Sequence, residues 1–200
     1  MTKFLLIRHA TTDSVGKRLS GRLSGVSLNP AGQEQAQKLA QRLTGSAIAA
    51  VYSSPLERAL ETAAPIAKIL NLRPIIDEHF LEMNFGEWTD AAFESLADEQ
   101  QFNRFNSFRS GTRIPGGELM LEAQTRMVAG LLKLTNQHPN ETVAVVSHSD
   151  LIKAAVAYFA GIHLDMFQRL EISPASVSIV QVYAETAQIL LLNHTGELNI

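Results

Sequence analysis

The chain has 200 residues, is 46% hydrophobic, lacks cysteine and carries a formal net charge of −3. That length supports one sizeable core, so the expectation is a single domain over residues 1–200. Without cysteine there is no disulfide, thiolate nucleophile or thiolate metal site, and without a dense Lys/Arg cluster the chain lacks the basic stripe of a nucleic-acid binder.

The N-terminus passes from Met1-Thr2-Lys3 into a short apolar run that Arg8 interrupts. A secretory signal needs a longer apolar segment and a small-residue cleavage site, and no later stretch is long enough to span a membrane. The expected address is the cytoplasm. Residues 3–8, continuous, aliphatic and short, predict a buried parallel strand. A polar loop with Gly16, Gly21 and Gly25 follows, among Arg18, Ser20 and Arg22. Asn29-Pro30 then reads as an N-cap and first helical residue, opening a helix to about Leu43 with Ala36, Leu39, Ala40 and Leu43 on one face. Ile48 to Tyr52 is the second strand. Ser53-Ser54-Pro55-Leu56-Glu57 reads as a helix start, with Ser54 capping, Pro55 in the first turn and Glu57 completing a capping box. The helical period continues to Leu70, and Pro65 inside it predicts a kink or a split.

Residues 73–77 make a third strand. From about 79 to 115 the chain changes character and holds seven of its thirteen aromatic residues, which must pack on something; the segment reads as a lid excursion over the sheet end. A long helix is expected from about Glu118 to His138, then a strand at 142–147 and a helix from Ser149 to about Phe159. Strands near 175–183 and 187–193, joined tightly around Glu185, predict a hairpin and an antiparallel edge. Alternating strands and helices imply a three-layer α/β sandwich.

Two of the apolar runs finish on a histidine, at His9 and at His148. Open α/β sheets bind ligands beyond the carboxyl ends of their strands, so the pair predicts one crevice. Arg8 and Arg58 fall at the same edge, beside helix N-termini whose free N–H groups attract anions. A guanidinium fork matches phosphate oxygens in pairs, and no acidic cluster competes for a metal. The ligand implied is a phosphoryl group held without a cation. With no cysteine and no Gly-x-Ser-x-Gly elbow, histidine is the remaining nucleophile. Glu82, at the start of the aromatic excursion, is the candidate proton donor. Taken singly, each histidine reads as a core residue, Arg58 as a solvated helix residue, Arg8 as half of a structural ion pair and Glu82 as a surface charge. Arg18, Ser20, Arg22 and Arg109 are possible substrate contacts, with solvated positions as the alternative.

These residues resemble the histidine phosphatases, the phosphoglycerate mutase-like superfamily. Arg8-His9 looks like its Arg-His-Gly signature, and Ser53-Ser54-Pro55-Leu56-Glu57-Arg58-Ala59 with Thr62 is similar to its second block. Leu81-Glu82 through Gly86-x-Trp88, Pro115-Gly116-Gly117-Glu118 and Val146-Ser147-His148 resemble the remaining blocks, all in family order. The resemblance implies that His9 is phosphorylated, that Glu82 is the general acid and later the base for water, and that Arg8, Arg58 and His148 form the phosphate pocket. It also implies a six-stranded, mostly parallel sheet with one antiparallel strand, helices on both faces, and no metal or organic cofactor. Ala10, Thr11-Thr12, Val15 and Ser149-Asp150 depart from the family pattern, and Asp150 adds negative charge near the pocket.

The leading functional reading is a metal-independent phosphomonoesterase of a small phosphorylated metabolite, acting as a monomer or homodimer with no nucleic-acid or membrane partner. Phosphoglycerate mutase-type transfer is the alternative on the same chemistry; it requires water to be excluded from the intermediate, and the short excursion favours hydrolysis. A non-catalytic phosphate-binding regulatory module is the reading from a different class. A metallophosphatase built on His148-Ser149-Asp150 lacks the carboxylates that hard cations need.

Overall fold

The computed structural model of the protein describes residues 1–198. The expected single unit over 1–200 therefore includes two residues, 199 and 200, that lie outside the described ones. Six strands form one sheet: β1 (Thr2–Arg8), β2 (Ile48–Ser53), β3 (Pro74–Ile76), β4 (Thr142–Ser147), β5 (Val177–Val182) and β6 (Ala187–His194). Their spatial order is β3-β2-β4-β1-β5-β6. β3, β2, β4 and β1 are mutually parallel, whereas β5 pairs antiparallel with both β1 and β6. One strand thus runs against the rest, as the hairpin signal predicts.

The central strands are apolar on both faces because each face carries a helical layer. Phe4 and Leu6 of β1 point into one core with Val143 and Val145, while Leu5 and Ile7 point into the other with Ala144 and Val146. The first core is covered by α5 (Met120–Gln137) and α6 (Ser149–Ala160), through Met127, Leu131, Leu151 and Ala155. The second is covered by α1 (Pro30–Arg42) and α2 (Glu57–Ile69), through Ala36, Leu39, Ala63 and Ile66. The result is a three-layer sandwich.

Asn29 caps α1 through its side-chain oxygen on the Gly32 N–H, with Pro30 at the first helical position. The start of α2 differs from expectation. Its N-cap is Leu56, with no side-chain cap, so Ser54 and Pro55 precede the helix and no capping box forms. Pro65 neither splits nor ends α2, which runs unbroken to Ile69. The expected third strand is trimmed to Pro74–Ile76, and α5 begins at Met120 rather than Glu118.

The lid excursion consists of two 3-10 turns, Glu78–Phe80 and Gly86–Trp88, followed by the short helices α3 (Phe93–Leu96) and α4 (Gln100–Ser107). Its aromatics explain its position. Phe80, Phe85, Trp88 and Phe105 are buried in the first core, and Trp88 meets Phe102 and Phe105 edge-on at 5.3 and 5.6 Å. Phe80 also fixes the chain just ahead of Glu82, since its carbonyl accepts the Ser147 hydroxyl at 2.8 Å. Replacing this fully buried ring by Phe80→Ala is expected to cost about 3–5 kcal/mol. Urea unfolding should show a lower midpoint with the same denaturant slope.

Candidate active site

Sheet register brings the two histidines together. β1 and β4 pair in parallel with Arg8 opposite Ser147, and the His9 N–H donates to the Ser147 carbonyl at 2.9 Å. The next residues on both strands are the two imidazoles, whose ring centroids lie 5.2 Å apart. On the other edge of β4, the Ser54 N–H donates to the Val146 carbonyl at 2.9 Å. That sets the Ser54 hydroxyl 2.8 Å from His148 Nε2. Ser54 is therefore a site residue rather than a helix cap. Its motif flagged it, but its partner depends on a strand 94 residues away.

His9 Nδ1 lies 2.7 Å from the Ala10 carbonyl, which can only accept, so Nδ1 carries the hydrogen. Burial first, then the charges of Arg58 and Arg8, push the His9 pKa down to about 3. The ring is neutral and its Nε2 lone pair is free. Ala10, which departs from the family pattern, supplies this contact with its backbone. Its N–H donates to Thr62 Oγ1 at 3.0 Å, and its side chain is buried in the second core. Thr62 in turn donates its hydroxyl to the Arg58 carbonyl at 2.7 Å. His148 is likewise held neutral, well below the ordinary range, by burial and then by Arg58 and its other charged neighbours.

Glu82 sits in the irregular segment between the two 3-10 turns. Burial and the nearby Asp150 raise its pKa to about 7, against the opposing pull of Arg58, the Met83 N–H and Arg8. It is thus a carboxyl that still holds a proton close to neutrality. Its Oε2 lies 3.7 Å from His148 Nδ1, and its Oε1 accepts the Met83 N–H at 2.8 Å.

A cavity of about 350 Å³ opens over this group, lined by Arg8, His9, Arg58, Glu82, Ser149 and Asp150, with Thr12, Val15, Arg18 and Ser20 also in its wall. Arg58 is 2% exposed; its Nη2 donates to the Gly21 carbonyl at 2.7 Å, and its Nη1 has no partner. Arg8 Nη1 donates to the Ile172 carbonyl at 2.6 Å, while its buried Nε is also unpartnered. His148 Nδ1 is a third such nitrogen. Three buried polar nitrogens without partners at one place carry an unmet desolvation cost, which an anion accepting from them would relieve. His148 itself is fully buried beside the cavity, its ring 5.2 Å from that of His9 and its Nδ1 3.7 Å from Glu82 Oε2. Among the described residues, no group of three His, Asp or Glu side chains is arranged to hold a metal ion.

Two of the four expected substrate contacts fall outside the cavity. Arg22 donates through Nε to the Glu82 carbonyl at 2.8 Å and through Nη2 to Glu118 at 2.7 Å. Arg109 is 7% exposed, pairs with Asp150 at 3.1 Å and lies over the Phe105 and Phe167 rings at 4.5 and 4.6 Å. Both arginines meet partners that sequence spacing cannot place. Arg18 and Ser20 do line the cavity, with Arg18 tethered to Asp90 at 2.9 Å. Asp150, the charge that departs from the family pattern, is partly neutralised by Arg109 but still faces the cavity.

The histidine phosphatase superfamily (branch 1) profile matches residues 4–195. The chain is 32% identical over 204 residues to phosphoserine phosphatase 1 of Hydrogenobacter thermophilus, covering 98% of this chain and 96% of that one. It is 35% identical to the bifunctional protein Rv2228c of Mycobacterium tuberculosis, again over 98% of this chain but only 55% of that protein. Its fold superposes with a TM-score of 0.88 on a phosphoserine phosphatase of Entamoeba histolytica in complex with 3-phosphoglyceric acid, at 28% identity and with both chains covered in full (100%). The chain belongs to the histidine phosphatase superfamily.

Proposed function

We propose that the protein is a metal-independent phosphomonoesterase that hydrolyses a small phosphorylated metabolite through a phosphohistidine at His9. One observation carries this reading. A neutral imidazole with a free Nε2 faces the same cavity as a buried, protonated carboxyl and two partly unsatisfied guanidiniums. Among the relatives, proteins named phosphoserine phosphatase support the substrate size, and phosphoserine and 3-phosphoglycerate are the first compounds to offer.

In the first step His9 Nε2 attacks phosphorus while the bond to the ester oxygen breaks. Arg8 and Arg58 spread the charge of the equatorial oxygens. Glu82 gives its proton to the departing oxygen, which leaves as an alcohol. In the second step the Glu82 carboxylate takes a proton from water as the water oxygen attacks phosphorus. The P–N bond breaks, inorganic phosphate leaves, and both groups return to their starting forms. His148 contributes no charge: in the tautomer in which Ser54 donates to Nε2, its Nδ1–H is left for a phosphoryl oxygen.

His9→Ala is expected to lower aryl phosphate hydrolysis by EDTA-treated protein on the order of 10³-fold or more. Activity surviving that change would overturn the nucleophile assignment. Because the acid must hold its proton, kcat/KM should fall as pH rises through about 7, the Glu82 value. Asp150→Asn removes a charge that raises that value and leaves Arg109 unpaired, and both changes favour the carboxylate. The alkaline limb of the pH profile should therefore move to lower pH; an unmoved limb would assign it to another group.

A further inference from the structure

Glu82 has no regular secondary structure to hold it, since it lies between two 3-10 turns. Its carbonyl is gripped instead by Arg22 Nε at 2.8 Å, with Arg126 Nη2 at 3.5 Å. Arg126 also donates through Nη1 to the carbonyls of Leu81, His79 and Glu78 at 2.7, 3.0 and 3.2 Å, so one guanidinium collects the turn leading into the acid. Between the two arginines stands Glu118. It accepts from Arg22 Nη2 at 2.7 Å and lies 3.4 Å from Arg126 Nη2. Its Oε2 also accepts the Asn84 N–H at 2.8 Å, and its own N–H donates to the Asn84 carbonyl at 3.0 Å.

Two glycines make this crossing of segments possible. A Cβ on Gly86, whose φ is +48°, would lie 2.1 Å from the Pro115 carbonyl oxygen, and one on Gly117 would lie 2.4 Å from the Asn84 carbonyl oxygen. The charges are arranged just as closely. Burial lowers the Arg126 pKa, Glu118 opposes that, and repulsion from Arg22 lowers it further. Neither arginine lines the cavity, and nor does Glu118. By contact they reach the reaction through the Glu82 backbone, and Arg126 also acts through its charge on Glu82 and His148.

We propose that Glu118 is a positioning residue for the acid step, bridging Arg22 and Arg126 so that they hold the Glu82 carboxyl at the leaving oxygen. The proposal rests on the reading of Glu82 as general acid. A neutral side chain at position 118 leaves two like charges facing each other, so the guanidiniums separate and the Glu82 carbonyl loses its fixed donors. A displacement near 1 Å of a reacting group lowers rate by about 10²-fold. Phosphate binding, which uses Arg8 and Arg58, stays intact.

The test is leaving-group dependence. A dinitrophenolate departs without a proton, whereas the alkoxide of an alkyl phosphate does not. In Glu118→Gln, kcat/KM for an alkyl phosphate should fall on the order of 10–10²-fold. The value for dinitrophenyl phosphate and inhibition by inorganic phosphate should remain within about threefold of the unmodified protein. Arg22→Gln should repeat the pattern, and it stands in if Glu118→Gln does not fold. Equal loss on both substrates, weakened phosphate inhibition, or no loss on either would overturn the proposal. Glu82→Gln separates the two levels of the argument. If it shows the leaving-group split and the Glu118 and Arg22 variants do not, the clamp is wrong and the acid right. If it shows no split, the acid assignment fails and the clamp falls with it.

Discussion

The site depends on the position of β4 in the sheet. This strand hydrogen-bonds to β1 on one edge and β2 on the other, so the carboxyl ends of three strands are levelled against one another. The Ser147 carbonyl fixes His9, the Val146 carbonyl fixes Ser54, and the chain then turns at His148 between them. Moving β4 by one residue would exchange its two faces, since side chains alternate along a strand. Val143 and Val145 would leave the core they share with α5 and α6. The apolar packing that stabilises the sheet therefore also sets the geometry of the two imidazoles.

Electrostatics then determines which proton forms are present. The pocket keeps Arg8 and Arg58 charged at the cost of leaving some of their N–H groups unpaired, and their field with burial keeps His9 and His148 neutral. Burial and Asp150 keep Glu82 protonated. The consequences for stability oppose each other. Glu82, raised from 4.5 to about 7, contributes stability that is complete below its ordinary value and lost as pH climbs through the folded one. His9, lowered from 6.5 to about 3, contributes stability that is complete above its ordinary value and lost as pH falls. Between those limits the two groups partly cancel, with His148 adding to the histidine side.

Much of this was legible in the amino-acid order. The strands ending on His9 and His148 are continuous aliphatic runs, and β4 occupies the expected residues 142–147 because nothing polar interrupts it. The Asn29-Pro30 cap needed only local chemistry. What escaped were tertiary partners. Ser54 has every local mark of a cap, yet its hydroxyl turns to His148 because β2 ends beside β4. Arg22 and Arg109 look like ligand contacts on a polar loop and a lid, but Glu118 and Asp150 claim them. Glu118 reads as a helix residue because α5 follows so closely, and only the crossing of two segments at Gly86 and Gly117 leaves it outside.

The contact between His9 Nδ1 and the Ala10 carbonyl has a consequence for sequence change. An imidazole oriented by a neighbour's side chain is released when that neighbour is replaced. Here the acceptor is main chain, present whatever residue occupies position 10. The alanine methyl is fully enclosed by the second core and the Ala10 N–H is used by Thr62, so size and that N–H constrain position 10. Glycine and alanine are interchangeable there as far as the imidazole's orientation is concerned. The contact that leaves His9 Nε2 available is thus made to a group every residue type at position 10 carries.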